Sequence, residues 1–132
     1  MKLGSLRLVY MGSSDVEADA RLHVQTLGGN LRFFLDRFGA RVASVRHGAG
    51  ADIVFASHMA GKSPILFFEV DDIEALRDAP GAMLIETPIG PGVLFEASGG
   101  ARLGGLRIER EDYMENAWRT PGHEGAVRPE WL

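Results

Sequence analysis

The sequence predicts an α+β fold composed of two tandem βαβββ modules. A short motif occurs twice, as SDVEA at residues 14–18 and as DDIEA at residues 71–75. An apolar run with the composition of a strand precedes each copy. Three more apolar segments, separated by turns that contain glycine, follow each copy. The order strand, helix and three strands is therefore predicted twice.

The length of the chain limits how these modules can be arranged. Its 132 residues are 45% hydrophobic, enough to bury one core, so we predict a single domain over residues 1–112 and a tail over 113–132. The modules cover about residues 4–58 and 64–110. A module of about fifty-five residues cannot bury both faces of its own sheet. We therefore expect the modules to pair with each other or with another chain.

Each copy of the motif is predicted to begin a helix. Ser14 with Glu17 fits the capping box, in which side chains satisfy the free amide groups of the first turn. Asp71 with Glu74 repeats the same pattern. The first helix ends at the glycine pair 28–29, which tolerates a positive φ. Its apolar stripe consists of Val16, Ala20, His23 and Leu27.

The remaining apolar segments are predicted to be strands, because they are short, rich in β-branched and aromatic residues and bounded by turn residues. The predicted strands are 6–11, 31–38, 40–47 and 51–58 in the first module, and 65–70, 82–87, 92–97 and 101–110 in the second. Gly104-Gly105 inside the last strand needs a reason. It predicts a bulge, or a close approach of a ligand or a second chain to the backbone.

The composition excludes several classes of function. A net charge of −4 without a run of basic residues disfavours nucleic acid as a partner. The absence of cysteine excludes disulfides, thiolate metal sites and a cysteine nucleophile. The N-terminal apolar run contains Arg7 and is too short for a membrane span, so we expect no membrane partner. These observations predict a soluble, cytoplasmic protein.

The order and spacing of these motifs resemble the vicinal oxygen chelate superfamily, over about residues 4–110. The resemblance rests on D-[VI]-E-A at each helix start, LGG at residues 27–29, PILFFEVDDIEAL at 64–76 and a glycine-rich turn before the last strand. This group includes glyoxalase I, extradiol dioxygenases, methylmalonyl-CoA epimerase, fosfomycin-resistance enzymes and bleomycin-resistance proteins. The resemblance implies curled mixed sheets around a cup, the glyoxalase/bleomycin-resistance-like fold. It also implies a homodimer.

Metal-dependent members of this superfamily place their ligands on the first and last strand of each module. The helix-start residues Asp15 and Asp72 fix the register in this chain. The equivalent positions are Leu8, Val54, Ile65 and Gly104. None of these side chains can coordinate a divalent ion, which needs imidazole or carboxylate here. We therefore predict no metal and no cofactor.

The four histidines do not replace these ligands. His23 lies on the apolar stripe of the first helix, where packing against the sheet is the favoured role. His47 and His58 end consecutive strands, and antiparallel neighbours would place them at opposite ends of the sheet. His123 lies in the polar tail, where we expect it to be solvated. A shared metal ion is not expected.

Strand alternation predicts which side chains line the cup. The predicted ligand-binding residues are Leu8, Tyr10, Phe55, Ile65, Phe67, Glu69, Phe95 and Gly104. The parity of two strands leaves Val54 as the alternative to Phe55 and Leu94 as the alternative to Phe95. The predicted cavity is aromatic and aliphatic, and its polar groups are Tyr10, Glu69 and Glu86.

Glu69 is the candidate for acid–base chemistry. It lies between Phe68 and Val70 on a strand with no adjacent basic residue, so inside the cup it could act as a general base or bind a cation. The alternative, which we favour, is a solvated side chain at the strand end. Glu86 is likewise expected at the surface. With no partner for either carboxylate, we assign no catalytic residue.

The segment after Arg110 is too polar to form a core, yet it contains Tyr113, Trp118 and Trp131. Two interpretations stay open: a loosely packed tail, or a strap over a neighbouring subunit or the mouth of the cup.

The sequence favours a metal-free protein that binds a small molecule, a drug or a metabolite, in an apolar aromatic cleft, similar to bleomycin-resistance proteins. Such a role would connect the chain to antibiotic resistance. The alternative is an enzyme of the superfamily, an isomerase, lyase or dioxygenase. It would use a metal held by unusual ligands, or no metal and Glu69 as base.

Overall fold

A computed structural model of the chain describes residues 3–37, 39–96, 98–111 and 125–132. The strands are β1 (Leu6–Gly12), β2 (Asn30–Arg37), β3 (Ala40–Arg46), β4 (Asp52–Ala56), β5 (Ile65–Glu69), β6 (Met83–Thr87), β7 (Gly90–Phe95) and β8 (Arg102–Leu106). The helices are α1 (Val16–Arg21) and α2 (Glu74–Arg77). A π-helical turn (Leu22–Thr26) continues α1, and a 3-10 turn (Ser57–Met59) follows β4. Among the described residues no helix is long and apolar enough to cross a membrane.

All eight strands form one mixed sheet in the order β2-β3-β4-β1-β5-β8-β7-β6. Within each module the first and last strands are parallel, β1 with β4 and β5 with β8. The two modules join edge to edge because β1 and β5 pair antiparallel. The predicted α+β fold is confirmed. Of the two expected pairings, the structure shows the modules pairing with each other.

The sheet has an apolar core on each face. The inner cluster contains buried residues from both modules: Leu8, Phe33, Leu35, Val54, Ala56, Met59, Ile65, Phe67, Ile89, Leu94 and Leu106. The helices cover the outer face. Under α1 lie Val16, Ala20, Leu31, Phe34, Ala43, Val45 and Phe55. Beside α2 lie Val70, Ile73 and Val93. Along β4, for example, Val54 and Ala56 belong to the inner cluster and Phe55 to the outer one.

The helix caps lie one residue later than predicted. The side chain of Asp15, not of Ser14, accepts a hydrogen bond from the amide of Ala18, at 3.0 Å. In the second module Asp72 accepts from the amide of Ala75 at 3.2 Å, although the N-cap position of α2 is the next residue, Ile73. The aspartate of each D-[VI]-E-A motif is therefore the capping group, and the preceding residue lies outside the helix.

The π-helical turn overturns the predicted stripe of the first helix. The amide of Leu27 donates to the carbonyl of Leu22, five residues earlier, which adds a residue to that turn. The predicted spacing therefore holds as far as His23, whose ring lies 5.1 Å from that of Phe55, and fails at Leu27, which is 54% exposed. Val24 packs against the outer cluster instead.

The end of the tail packs on the first module. The amide of Asp36 donates to the carbonyl of Gly125, and the amide of Val127 donates to the carbonyl of Phe34, so residues 125–127 cover the free edge of β2. Trp131 packs against the outer cluster under α1. The other residues that raised the question of a strap, Tyr113 and Trp118, lie outside the described residues, as does His123.

Candidate functional site

A cavity of about 410 Å³ lies on the inner face of the sheet, between the two modules. Both modules contribute to its wall, which is mostly aliphatic and aromatic. The lining residues are Leu8, Tyr10, Phe33, Leu35, Val42, Val54, His58, Ile65, Phe67, Ile85, Glu86, Thr87, Pro88, Ile89 and Leu106. The wall is therefore apolar, with polar groups at four positions.

Strand pairing explains why the central residues meet there. Tyr10 lies opposite both Val54 on β4 and Ile65 on β5, and Leu8 lies opposite Phe67. Side chains of directly paired residues point to the same face of a sheet. The β1–β5 seam thus brings the two modules' equivalent side chains together in one wall.

The metal-ligand positions implied by the family resemblance carry no metal-binding group. Leu8, Val54 and Ile65 line the cavity as aliphatic side chains, and the fourth position, Gly104, has no side chain. In the described part of the chain no three His, Asp or Glu residues lie close enough together to hold an ion. The residues at the positions that the family resemblance implies therefore do not fit a divalent metal.

The predicted ligand-binding residues divide into two groups. Leu8, Tyr10, Ile65 and Phe67 line the cavity, whereas the other four do not. Phe55 is buried on the outer face, where its ring lies 5.1 Å from that of His23, so Val54 takes its place.

Phe95 packs beside α2 on the outer face, and Leu94 belongs to the inner cluster instead. In both pairs the neighbour that the sequence left as the alternative faces inward. Whether any lining residue binds a ligand stays a prediction.

Gly104 makes room for Phe67. A Cβ atom at Gly104 would lie 2.6 Å from Cδ1 of Phe67, closer than two carbons can approach. A Cβ at Gly105 would lie 2.9 Å from Cδ1 of Leu76 on the outer face. The pairing of β8 with β5 and β7 is continuous, so the predicted bulge is absent. The close approach comes from the chain's own side chains.

Glu69 does not line the cavity. Nη1 of Arg7 donates to its carboxylate at 3.0 Å, although the sequence showed no basic neighbour along the strand. Arg7 comes from β1, where it is the extra residue of an irregularity between Leu6 and Leu8 in the pairing with β5. The Glu69 carboxylate is thus held by an arginine outside the apolar wall.

Asp52, two residues before Val54 on β4, forms a buried ion pair with Arg46 on β3. Nε and Nη2 of Arg46 donate to the fully buried carboxylate of Asp52 at 2.9 and 3.0 Å. Nε of Arg32 lies 3.4 Å from the same carboxylate. Burial raises the pKa of Asp52, and the charges of Arg46 and Arg32 oppose that shift. This two-point pairing fixes the end of β4 against β3.

Tyr10 and His58 form the polar pair of the cavity. Their Oη and Nε2 atoms lie 3.1 Å apart, and their ring centroids are separated by 6.2 Å. Desolvation by burial raises the pKa of Tyr10, which keeps the phenol protonated. The ring of Tyr10 meets Phe67 edge-on at 6.4 Å, whereas His58 is exposed. The pair therefore connects the apolar interior with solvent.

Sequence reasoning missed His58, although the sequence contained a signal. Because β1 and β4 are parallel, their carboxyl ends lie at the same edge of the sheet. Tyr10 lies near the end of β1, and His58 follows β4 in the 3-10 turn. A parallel pairing of first and last strand, which the family fold implies, predicts that these side chains lie close together.

A second histidine contact was also missed. Nδ1 of His23 lies 2.9 Å from Nε2 of His47 on the outer face. Desolvation lowers the pKa of His23, as does the neighbouring His47, while Asp19 opposes the shift. This pair joins the π-helical turn to the end of β3 and lies away from the cavity.

Comparisons with known proteins give the fold. No protein-family model and no curated protein sequence matches the chain. Among solved structures it is similar to methylmalonyl-CoA epimerase from Mycobacterium tuberculosis, at 19% identity and a TM-score of 0.62, over 80% of this chain and 89% of that one. A glyoxalase/bleomycin resistance protein/dioxygenase superfamily member from Vibrio splendidus 12B01 matches at 14% identity and a TM-score of 0.58, over 78% and 99% of the two chains.

A mutant of 4-hydroxymandelate synthase from Streptomyces coelicolor matches at 16% identity and a TM-score of 0.65. The match covers 83% of this chain but only 40% of that enzyme. Together with the paired βαβββ modules, these likenesses show that the chain has the fold of the vicinal oxygen chelate superfamily.

Proposed function

We propose that the protein binds an apolar small molecule, a drug or a metabolite, in the cavity between its modules and does so without a metal. The observation that carries this proposal is the 410 Å³ cavity whose wall is aliphatic at Leu8, Val54 and Ile65. These are the positions at which the family resemblance implies metal ligands. A cavity of this size with sparse polar groups is typical of sites for small organic ligands. If the ligand is an antibiotic, binding would sequester it.

Removing the central aromatic ring tests this proposal. Phe67→Ala should weaken binding of apolar aromatic ligands by roughly 10- to 150-fold, because the lost ring contributes roughly 1.5–3 kcal/mol of burial. The measurement is isothermal titration with a panel of planar drugs and metabolites, first screened by thermal shift. Phe95→Ala removes the same ring from the outer face and should keep the parent's affinity. Equal affinity in Phe67→Ala and the parent would contradict this placement of the site.

The catalytic alternative has less support from the described residues. A general base must reach a proton of the substrate, but Glu69 lies off the cavity wall and is engaged by Arg7. The metal-dependent version lacks a set of ligands in the same residues. If Glu69 were the base of a metal-free enzyme, Glu69→Gln would abolish turnover while leaving the protein folded.

We also propose that the protein is a homodimer, as the family resemblance implies. The support is β6, an outermost strand whose Met83 and Leu84 are 54% and 52% exposed. Such an edge is a template for pairing with a second strand. Light scattering at micromolar concentration should give the mass of two chains, and Leu84→Lys should reduce it to one. A monomeric mass for the parent would contradict the proposal.

The proposed site of action is the cytoplasm. The chain has no cysteine and so lacks the disulfides that stabilise many small exported domains.

A further inference from the structure

We propose that Tyr10 and His58 are the polar anchor of the cavity, and that its ligand is an apolar skeleton bearing a neutral hydroxyl group. This inference rests on the proposed binding function and specifies the chemistry of the ligand. It starts from the 3.1 Å contact between Oη of Tyr10 and Nε2 of His58 at the wall of an otherwise apolar cavity.

The other polar lining residues are less suited to this role. The hydroxyl of Thr87 already donates to the carbonyl of Gly90 at 2.6 Å, within the turn between β6 and β7. Glu86 is exposed at the end of β6. Among the polar side chains that line the cavity in the described residues, Tyr10 packs edge-on against Phe67, and His58 packs against Tyr10.

The hydrogen-bonding capacity of the pair favours a hydroxyl. When neutral His58 accepts from the phenol, the oxygen of Tyr10 keeps lone pairs that can accept from a ligand. When Nε2 of His58 carries a proton, it donates to that oxygen, and the phenol proton is free to be donated. A ligand hydroxyl both donates and accepts, so it fits either state, whereas a carbonyl fits only the second.

The charge and the apolarity of the wall together favour a neutral group. Glu86 lines the same cavity, and its carboxylate would repel a ligand carboxylate. A cationic group would lose its hydration against a wall that is mostly aliphatic and aromatic. Burial raises the pKa of Tyr10, so the anchor itself is an uncharged phenol. An alcohol or phenol on an aromatic or aliphatic skeleton therefore complements the apolar wall and the polar pair together.

The test compares biphenyl with 4-phenylphenol, which differ by one hydroxyl, by isothermal titration of the full chain. The parent should bind 4-phenylphenol about fivefold more tightly, the gain of one net hydrogen bond. Tyr10→Phe keeps the ring and removes the hydroxyl, and it should bind both probes with the affinity that the parent has for biphenyl. His58→Gln should reduce the preference for 4-phenylphenol. His47→Gln changes a histidine on the outer face, away from the cavity, so it is the matched control and should retain the preference.

The outcomes separate the anchor from the binding function. Equal affinity of the parent for the two probes, or a preference that survives in Tyr10→Phe, would overturn the anchor while leaving the cavity as a binding site. If neither probe nor the wider panel of planar ligands binds the parent, the proposed function fails and the anchor fails with it.

Discussion

The two modules begin with the same motif but differ in how firmly each is held. In the first, α1 and its π-helical turn span residues 16–26 and cover a large apolar cluster. In the second, α2 spans only Glu74–Arg77 beside a smaller cluster. The free edge of β2 is covered by residues 125–127, whereas β6 exposes Met83 and Leu84. The two modules thus share the same order of strands and helix, but the first buries more apolar side chains under its helix than the second does.

The inner face shows the same contrast at equivalent positions. Asp52 on β4 lies opposite Leu8, and Arg102 on β8 lies opposite Ile65. The first module buries an ion pair there, whereas Arg102 donates to the carbonyl of Ser63 in an exposed contact. We infer that the first module is the more firmly held half of the cavity wall.

The largest effect that tests this comparison is expected at Asp52. Asp52→Ala leaves Arg46 and Arg32 without the carboxylate they face, and breaking a buried pair costs about 3–5 kcal/mol. Urea unfolding monitored by circular dichroism measures the loss.

The matched variant is Arg102→Ala, at the equivalent position of the second module. Its exposed hydrogen bond to a carbonyl should contribute no more than about 1.5 kcal/mol. Similar losses of stability in the two variants would refute the idea that the first module is the more firmly held half.

A smaller effect is expected at Gly104. Gly104→Ala places a methyl group against the ring of Phe67 and should cost about 1–3 kcal/mol by overpacking. Since Phe67 lines the cavity, the displaced ring should also change ligand affinity. Thermal unfolding and titration with 4-phenylphenol measure the two effects. An unchanged melting temperature in Gly104→Ala would contradict the expected clash between the added methyl group and the ring of Phe67.

The strand–helix–three-strand order could be predicted because glycine turns and apolar runs are local signals in the sequence. Several features of the site and its surroundings could not be predicted in this way. The irregularity at Arg7 and the register shift between Leu31 and Phe33, beside Arg32, break the two-residue alternation. Such shifts depend on how neighbouring strands fit together. The sequence of β5 around Glu69 therefore could not show that Arg7, on β1, binds its carboxylate.

The prediction that Phe55 and Phe95 face the cavity was wrong for a related reason. An apolar residue lies on each side of the choice, Val54 beside Phe55 and Leu94 beside Phe95, because both faces of this sheet are covered. Composition then cannot say which neighbour faces inward. The pair of His23 with His47 depends on the π-helical turn, which the sequence pattern did not show. The pair of His58 with Tyr10 depends on the parallel pairing of β1 with β4, for which the family resemblance held a signal.

The smallest effect, and one confined to the first module, is expected on acidification. The pKa of His23 is lowered by desolvation and by His47, so the unfolded chain takes up this proton more readily than the folded one. Stability should therefore fall as the pH drops below about 6.5, the ordinary histidine value. Urea midpoints at several pH values between 7.5 and 5 measure this loss. The comparison is with His23→Gln, which has the same carboxylates as the parent and lacks only this imidazole. This variant should lose less stability between pH 7.5 and 5 than the parent. Residues 64–110, the second module, contain no histidine, so the second module cannot produce this loss of stability. Parallel pH profiles of the parent and His23→Gln would show that the contact with His47 does not destabilise the folded protein at low pH.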